Sequence, residues 1–132
     1  MAKFRLKAGE QVIERTAVVD PNDVRAFQTL MLTDKRVVLL RNVPIKLPWL
    51  GTFLSAVAKF LREDRVEEQI SRTELESADA DGRRLTIKSS GAIYVSRIDV
   101  DVDHAERWAT VLRGWAAGDA TEIATATVVK RD

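Results

Sequence analysis

Apolar and polar residues alternate with a period of two along most of the first hundred positions, and the period then changes to 3.6. The run "EQVIERTAVVD" (10–20) is β-branched with polar residues interleaved, which predicts a strand, and "PND" (21–23) supplies turn chemistry. "RAFQTLMLT" (25–33) continues the pattern, Thr33-Asp34-Lys35 makes a tight connection, and "RVVLLR" (36–41) is an apolar run of strand length, so the three form a meander. Residues 65–71 and 72–79 read as strands with one solvated face, Val66, Glu68 and Ile70 alternating with Glu67 and Gln69. Asp81-Gly82 predicts a hairpin through a type I′ turn, since both residue types accept positive φ. Leu85 and Ile87 then share one face of 83–89, Ser90-Gly91 turns the chain, and 92–100 returns it, completing about seven strands. From there Ala105, Trp108, Ala109, Leu112, Trp115 and Ala116 fall on one helical stripe. Asp103 with Glu106 predicts a capping box at its start, and Gly118 a stop at its end. The segment 121–132 is β-branched and has no sequence neighbour to pair with, which predicts a flexible tail or a strand added to another sheet edge.

One stretch breaks the strand pattern. In "PIKLPWLGTFLSAVAKFLRED" (44–64) helical spacing begins at Thr52, because Pro48 and Gly51 interrupt anything earlier and Thr52 is a suitable N-cap. Leu50, Phe53, Leu54, Val57, Phe60 and Leu61 share a broad face behind Trp49, with Ser55, Lys59 and Arg62 opposite. An isolated helix of about 11 residues is marginal in water, so this face needs a cover. The candidates are the chain's own sheet, a protein partner or second copy, and a membrane surface with Trp49 as anchor and Lys46, Lys59 and Arg62 at headgroup level. Glu63 and Asp64 follow at once and oppose anionic headgroups.

Parallel crossovers need helices between strands, so seven strands followed by one helix predict a mainly β fold with a C-terminal α element. The economical form is a bent antiparallel sheet or two orthogonal sheets, with Trp108, Leu112 and Trp115 plugging the open side. "LKAGEQVI" (6–13), "LMLTDKRVVLL" (30–40), the Asp-Gly hairpin and a tryptophan-bearing last helix together resemble pleckstrin-homology-like (PH-like) domains of the GRAM and bacterial type. The resemblance spans about residues 6 to 117, and its most specific residues are Gly9, Glu10, Leu32, Thr33, Asp34 and Arg36. It implies a PH-like barrel or sandwich over residues 1–118 with a tail at 119–132, Trp108 sealing the barrel, and the helical insertion between the third and fourth strands at the ligand-facing end. It also implies a non-enzymatic module binding lipid headgroups, peptides or proteins, with Arg41, Lys46 and Lys88 as basic groups near that end. The loop 18–25 sets Asp20 and Asp23 against a single Arg25, unlike the basic first loop of phosphoinositide-binding members.

Composition narrows the chemistry. At 132 residues and 45% hydrophobic content the chain is sized for one domain with a real core. Twenty-one basic residues against 20 acidic ones leave +1, so no bulk attraction to nucleic acid or anionic lipid operates. With no cysteine and one histidine, disulfides, thiolate chemistry and a Cys/His metal site are excluded. "DVDVD" (99–103) and "SADADG" (77–82) both fail as calcium loops, the first lacking glycine at His104 and the second carrying Lys88 where a bidentate glutamate belongs. His104 is expected on the surface. "AKFRLK" (2–7) places Lys3, Arg5 and Lys7 on one face, as a charge-protected strand edge does. No phosphate loop, serine elbow or histidine-centred triad is present, and no aromatic-basic platform for nucleic acid. The N-terminus has no signal-peptide pattern, and 45–61 is too polar to span a bilayer. The expectation is a cytoplasmic, non-catalytic binding module without metal, cofactor or nucleic acid. It would mediate protein contact or self-association through 45–62, or alternatively peripheral attachment to anionic lipid by the same stretch.

Overall fold

A computed structural model of the chain describes residues 2–44, 62–90 and 96–118, apart from the side chains at 25 and 26. The alternating segments form β2 (Val12–Asp20), β3 (Asp23–Thr33), β4 (Arg36–Pro44), β5 (Arg62–Ser71), β6 (Leu75–Asp81), β7 (Arg84–Ser89) and β8 (Arg97–Asp101). A two-residue strand, β1 (Ala2–Lys3), pairs with Val66 and Arg65 at the edge of β5. All pairings are antiparallel in one open sheet of order β1-β5-β4-β3-β2-β8-β7-β6. Between the β5-to-β2 half and the β8-to-β6 half the described ladder has only the pair Val19 and Asp101. That narrow join lets both halves turn apolar faces to one core. Leu30, Leu32, Val37, Leu39 and Ile70 of the first half meet Ala78, Leu85, Ile87, Ile98 and Val100 of the second.

The 3.6-period stripe forms α1 (Ala105–Ala116), and Trp108, Leu112 and Trp115 are fully buried in that core. Burial of side chains this size contributes about 1.5–3 kcal/mol each, which holds a helix too short to persist alone. The fold is therefore mainly β, with an antiparallel open sheet closed on one face by a C-terminal helix. Residues Arg36–Leu40 are buried without a break, because β4 is covered on both sides. Val37 and Leu39 face the main core, while Val38, Leu40 and Met31 make a second cluster on the outer face beneath Phe4 and Val66. No helix among the described residues is long and apolar enough to cross a membrane.

Local chemistry corrects several expectations. Val66 and Ile70 do not share a face: a register shift opposite Leu39 and Leu40 leaves Glu67 as an extra residue, so Val66 joins the outer cluster and Ile70 the main core. The 72–79 strand begins late, after a 3-10 turn at Arg72–Glu74. At the β6–β7 hairpin Asp81 is still paired with Arg84, so the loop is Gly82-Arg83, and only Gly82 has positive φ, +62°. That is glycine at the first central position, as in a type II′ turn rather than I′. Asp103 does not cap α1. The residue before the helix is His104 in the left-handed region with φ 60°, no side chain caps the helix, and Asp103 instead pairs with Arg83 at 3.1 Å, both exposed. Gly118, with φ +94°, ends the helix as expected and donates to the Trp115 carbonyl. Arg62 is the first residue of β5, paired with Pro44, and not part of a helix. The rest of the helical insertion, at 45–61, and the 119–132 tail lie outside the described residues.

Candidate functional site

Two polar constellations stand out, and they differ in kind. The first gathers Glu10, Thr33 and Arg36. Glu10 is buried against the turn between β3 and β4, where its carboxylate accepts from Arg36 Nε at 2.9 Å and Nη2 at 3.0 Å, from Thr33 Oγ1 at 2.6 Å and from the Lys7 amide at 2.8 Å. Arg36 also donates to the Gln69 side chain and the Arg5 carbonyl, and its guanidinium lies 5.2 Å from the Phe4 ring centre. The Arg36 hydrogen bonds first, and then those of Thr33 and Lys7, hold the Glu10 carboxyl down at about 2 although burial pushes it up. Trp115 of α1 donates from Nε1 to the Thr33 carbonyl at 2.8 Å, and Arg72 Nε donates to the Trp115 carbonyl at 2.7 Å. Each side chain named here has its partners among the described residues, and the cluster acts as a clamp.

The second constellation lies where β2 turns into β3 and where β4 ends and β5 begins. Between the pairs Val18 with Gln28 and Asp20 with Asp23, β2 contributes only Val19 while β3 contributes positions 24–27. The surplus bulges outward and leaves Val24 73% and Phe27 69% exposed, with Val19 39% exposed beside them. Exposed aromatic and branched side chains in one patch are uncommon unless something covers them. Below them an open groove of about 830 Å³ crosses the outer face, lined among others by Arg15, Ala17, Val19, Phe27, Asn42 and Asp64.

Arg62 caps the groove's rim. Its Nη2 donates to the Asn42 carbonyl at 3.0 Å, its Nε donates to Asn42 Oδ1, and its guanidinium lies 5.4 Å from the centre of the Phe27 ring. A cation on an aromatic face holds both in place and contributes about 0.5–1 kcal/mol at an exposed site. Asn42 in turn donates to Asp64 Oδ1 at 3.0 Å. On the other face of the same sheet end Arg41 binds Glu67 at 2.7 Å and Asp23 at 3.2 Å, and Gln28 donates to Glu67. The Glu67 hydrogen bond, aided by Asp23, raises the already high pKa of Arg41.

No family model matches the chain. No curated protein matches it either. The site therefore rests on its own geometry.

Of the basic residues expected at the ligand-facing end, Arg41 is neutralised by two carboxylates, Arg62 is engaged by Asn42 and Phe27, and Lys88 stands half-buried on β7 in register with Arg97. Trp49, Leu50, Phe53, Leu54, Val57, Phe60 and Leu61, with Lys46 and Lys59, lie outside the described residues. Their two flanks do not: Pro44 and Arg62 are the last rung of the β4–β5 ladder, so both ends of that stretch leave from the groove's rim. Among the described residues no group of His, Cys, Asp or Glu is placed to hold a metal. Val24 and Phe27 were not singled out by their spacing, because they sit within a strand. The one available signal was that "DVRAF" is longer than the partner segment it must face across a tight turn.

Proposed function

We propose that the protein is a non-catalytic interaction module on a PH-like scaffold, and that it contacts protein, another chain or its own copy, through the apolar stretch 45–62 and the surface from which that stretch emerges. The observation that carries this reading is the exposed Val19, Val24 and Phe27 patch beside the Pro44 and Arg62 rung. The chain carries the apolar sequence 45–61 between the two ends of that rung, which supports reading the patch and the stretch as parts of one contact region. The four strands β2 to β5, then β6 to β8, then α1 follow in the order a PH-like scaffold requires, which supports that part of the reading.

A second reading, peripheral attachment to anionic lipid, is favoured among the described residues by Arg62, since a guanidinium held over an exposed phenyl ring suits a membrane interface. Sedimentation with anionic vesicles beside a sizing measurement separates the two. Concentration-dependent association without vesicle binding, weakened when Trp49 and Phe53 are both changed to serine, is the expected result. A strict monomer that binds vesicles and loses this in the same variant overturns the protein-contact reading in favour of the lipid one.

A further inference from the structure

The groove and the patch beside it have the features of a surface that fits itself. A two-fold interface must be self-complementary, because each residue of the patch meets another residue of the same patch on the partner. Here a projecting element, Val24 and Phe27, stands next to a recess floored by Ala17 and Thr29, so a knob and a hole occur side by side. The knob is also held in position, with Arg62 lying over the Phe27 ring.

The charges follow the same logic. Arg15 at one end of the groove is exposed and forms no ion pair among the described residues, while Asp64 at the other end offers a carboxylate that accepts from neutral Asn42. Within one copy the β3 and β4 strands lie between them. A two-fold axis crossing the groove midway between them sets Arg15 of each copy against Asp64 of the other.

We infer that the outer-face groove is the contact between two copies of this chain, with Phe27 and Val24 of each seated in the groove of the other and Arg15 paired with Asp64 across the axis. This rests on the interaction-module reading above and names its partner. The area sets the strength. Stable dimers bury about 800 Å² per partner. A phenyl ring and a valine supply only about a third of that, so the dimer is weak and forms at roughly micromolar to millimolar concentration.

The test is sedimentation of the full chain from about 1 µM to about 1 mM, with circular dichroism as the check on folding. F27S with V24S is expected to weaken the dimer at least about tenfold. R15D and D64K are each expected to weaken it, because each homodimer then sets like charges face to face. An equimolar mixture of the R15D and D64K chains is expected to restore association, since only the mixed pair again juxtaposes opposite charges twice. A chain that is monomeric throughout overturns the inference and the self-association reading together. A dimer indifferent to F27S, or one that the mixture fails to restore, overturns the inference alone and leaves self-association through another surface. Vesicle binding that is lost in F27S, without any dimer, gives the groove to lipid instead.

Discussion

Replacing Glu10 by glutamine keeps the shape of the clamp beneath the β3–β4 turn and removes its charge. The native carboxylate takes two hydrogen bonds from Arg36 and one each from Thr33 and the Lys7 amide, and its side chain is wholly buried. Held at about 2 in the folded chain against an ordinary 4.5, and at about 1.4 kcal/mol for each tenfold change in proton affinity, it contributes about 3 kcal/mol. The sign follows from the direction: the unfolded chain takes up a proton near 4.5 and the folded one only near 2, so the contribution is complete above 4.5 and lost as pH falls through that interval. Glutamine also leaves Arg36 buried without a counter-charge, a change that costs about 3–5 kcal/mol when a buried pair loses one partner. Urea unfolding followed by circular dichroism at pH 7 is expected to give a variant about 3 kcal/mol less stable, with a melting temperature about 10 °C lower. Repeated down to about pH 2, the two curves converge, because acid removes from the native protein what the substitution removed from the variant. Other carboxylates, Asp99 among them with its lowered pKa, titrate in both proteins and cancel in the difference. Curves that stay parallel between about pH 5 and pH 2, or a loss below about 0.5 kcal/mol at pH 7, would refute the clamp as described.

Trp115→Phe keeps an aromatic ring in the core but deletes the Nε1 donor to the Thr33 carbonyl, leaving that oxygen buried and unpaired; the expected loss is about 1–3 kcal/mol in urea midpoint analysis. Gly82→Ala meets no atom within 4 Å, so its cost comes only from a left-handed φ of +62°; about 1 kcal/mol, or about 4 °C in a thermal melt, is expected, with Gly82→Asn closer to native.

The parts of this molecule readable from pattern alone are those where one face of an element meets water. Leu85 and Ile87 on β7 and the Trp108, Leu112 and Trp115 stripe on α1 were legible because each has a solvated opposite face. Where that condition fails, alternation misleads: β4 is buried on both sides, and Val66 and Ile70 part company at a bulge that depends on pairing with Leu39 and Leu40. Asp103 looked like a helix cap because caps are local, but Arg83, brought close by the β6–β7 hairpin, takes its carboxylate instead. Glu10 and Arg36 stood out in sequence only as parts of two short separate stretches, without any sign that they touch, since nothing in linear spacing says that residues 26 positions apart meet. The groove was the least legible feature. It arises from unequal strand lengths around Val19 and from Asn42 and Asp64, which acquire a role only once β4 and β5 are side by side.

The turn between β3 and β4 is tied to both ends of the described fold, to Glu10 on one side and to Trp115 on the other. A chain made from its N-terminus completes the first tie as soon as Arg36 is available and can close the first half-sheet early. The second tie, and with it the lid on the main core, must await the last helix. Until then Leu85, Ile87 and Ile98 have no cover from α1, so a chain whose strands have formed before the helix docks leaves these side chains open to misassociation.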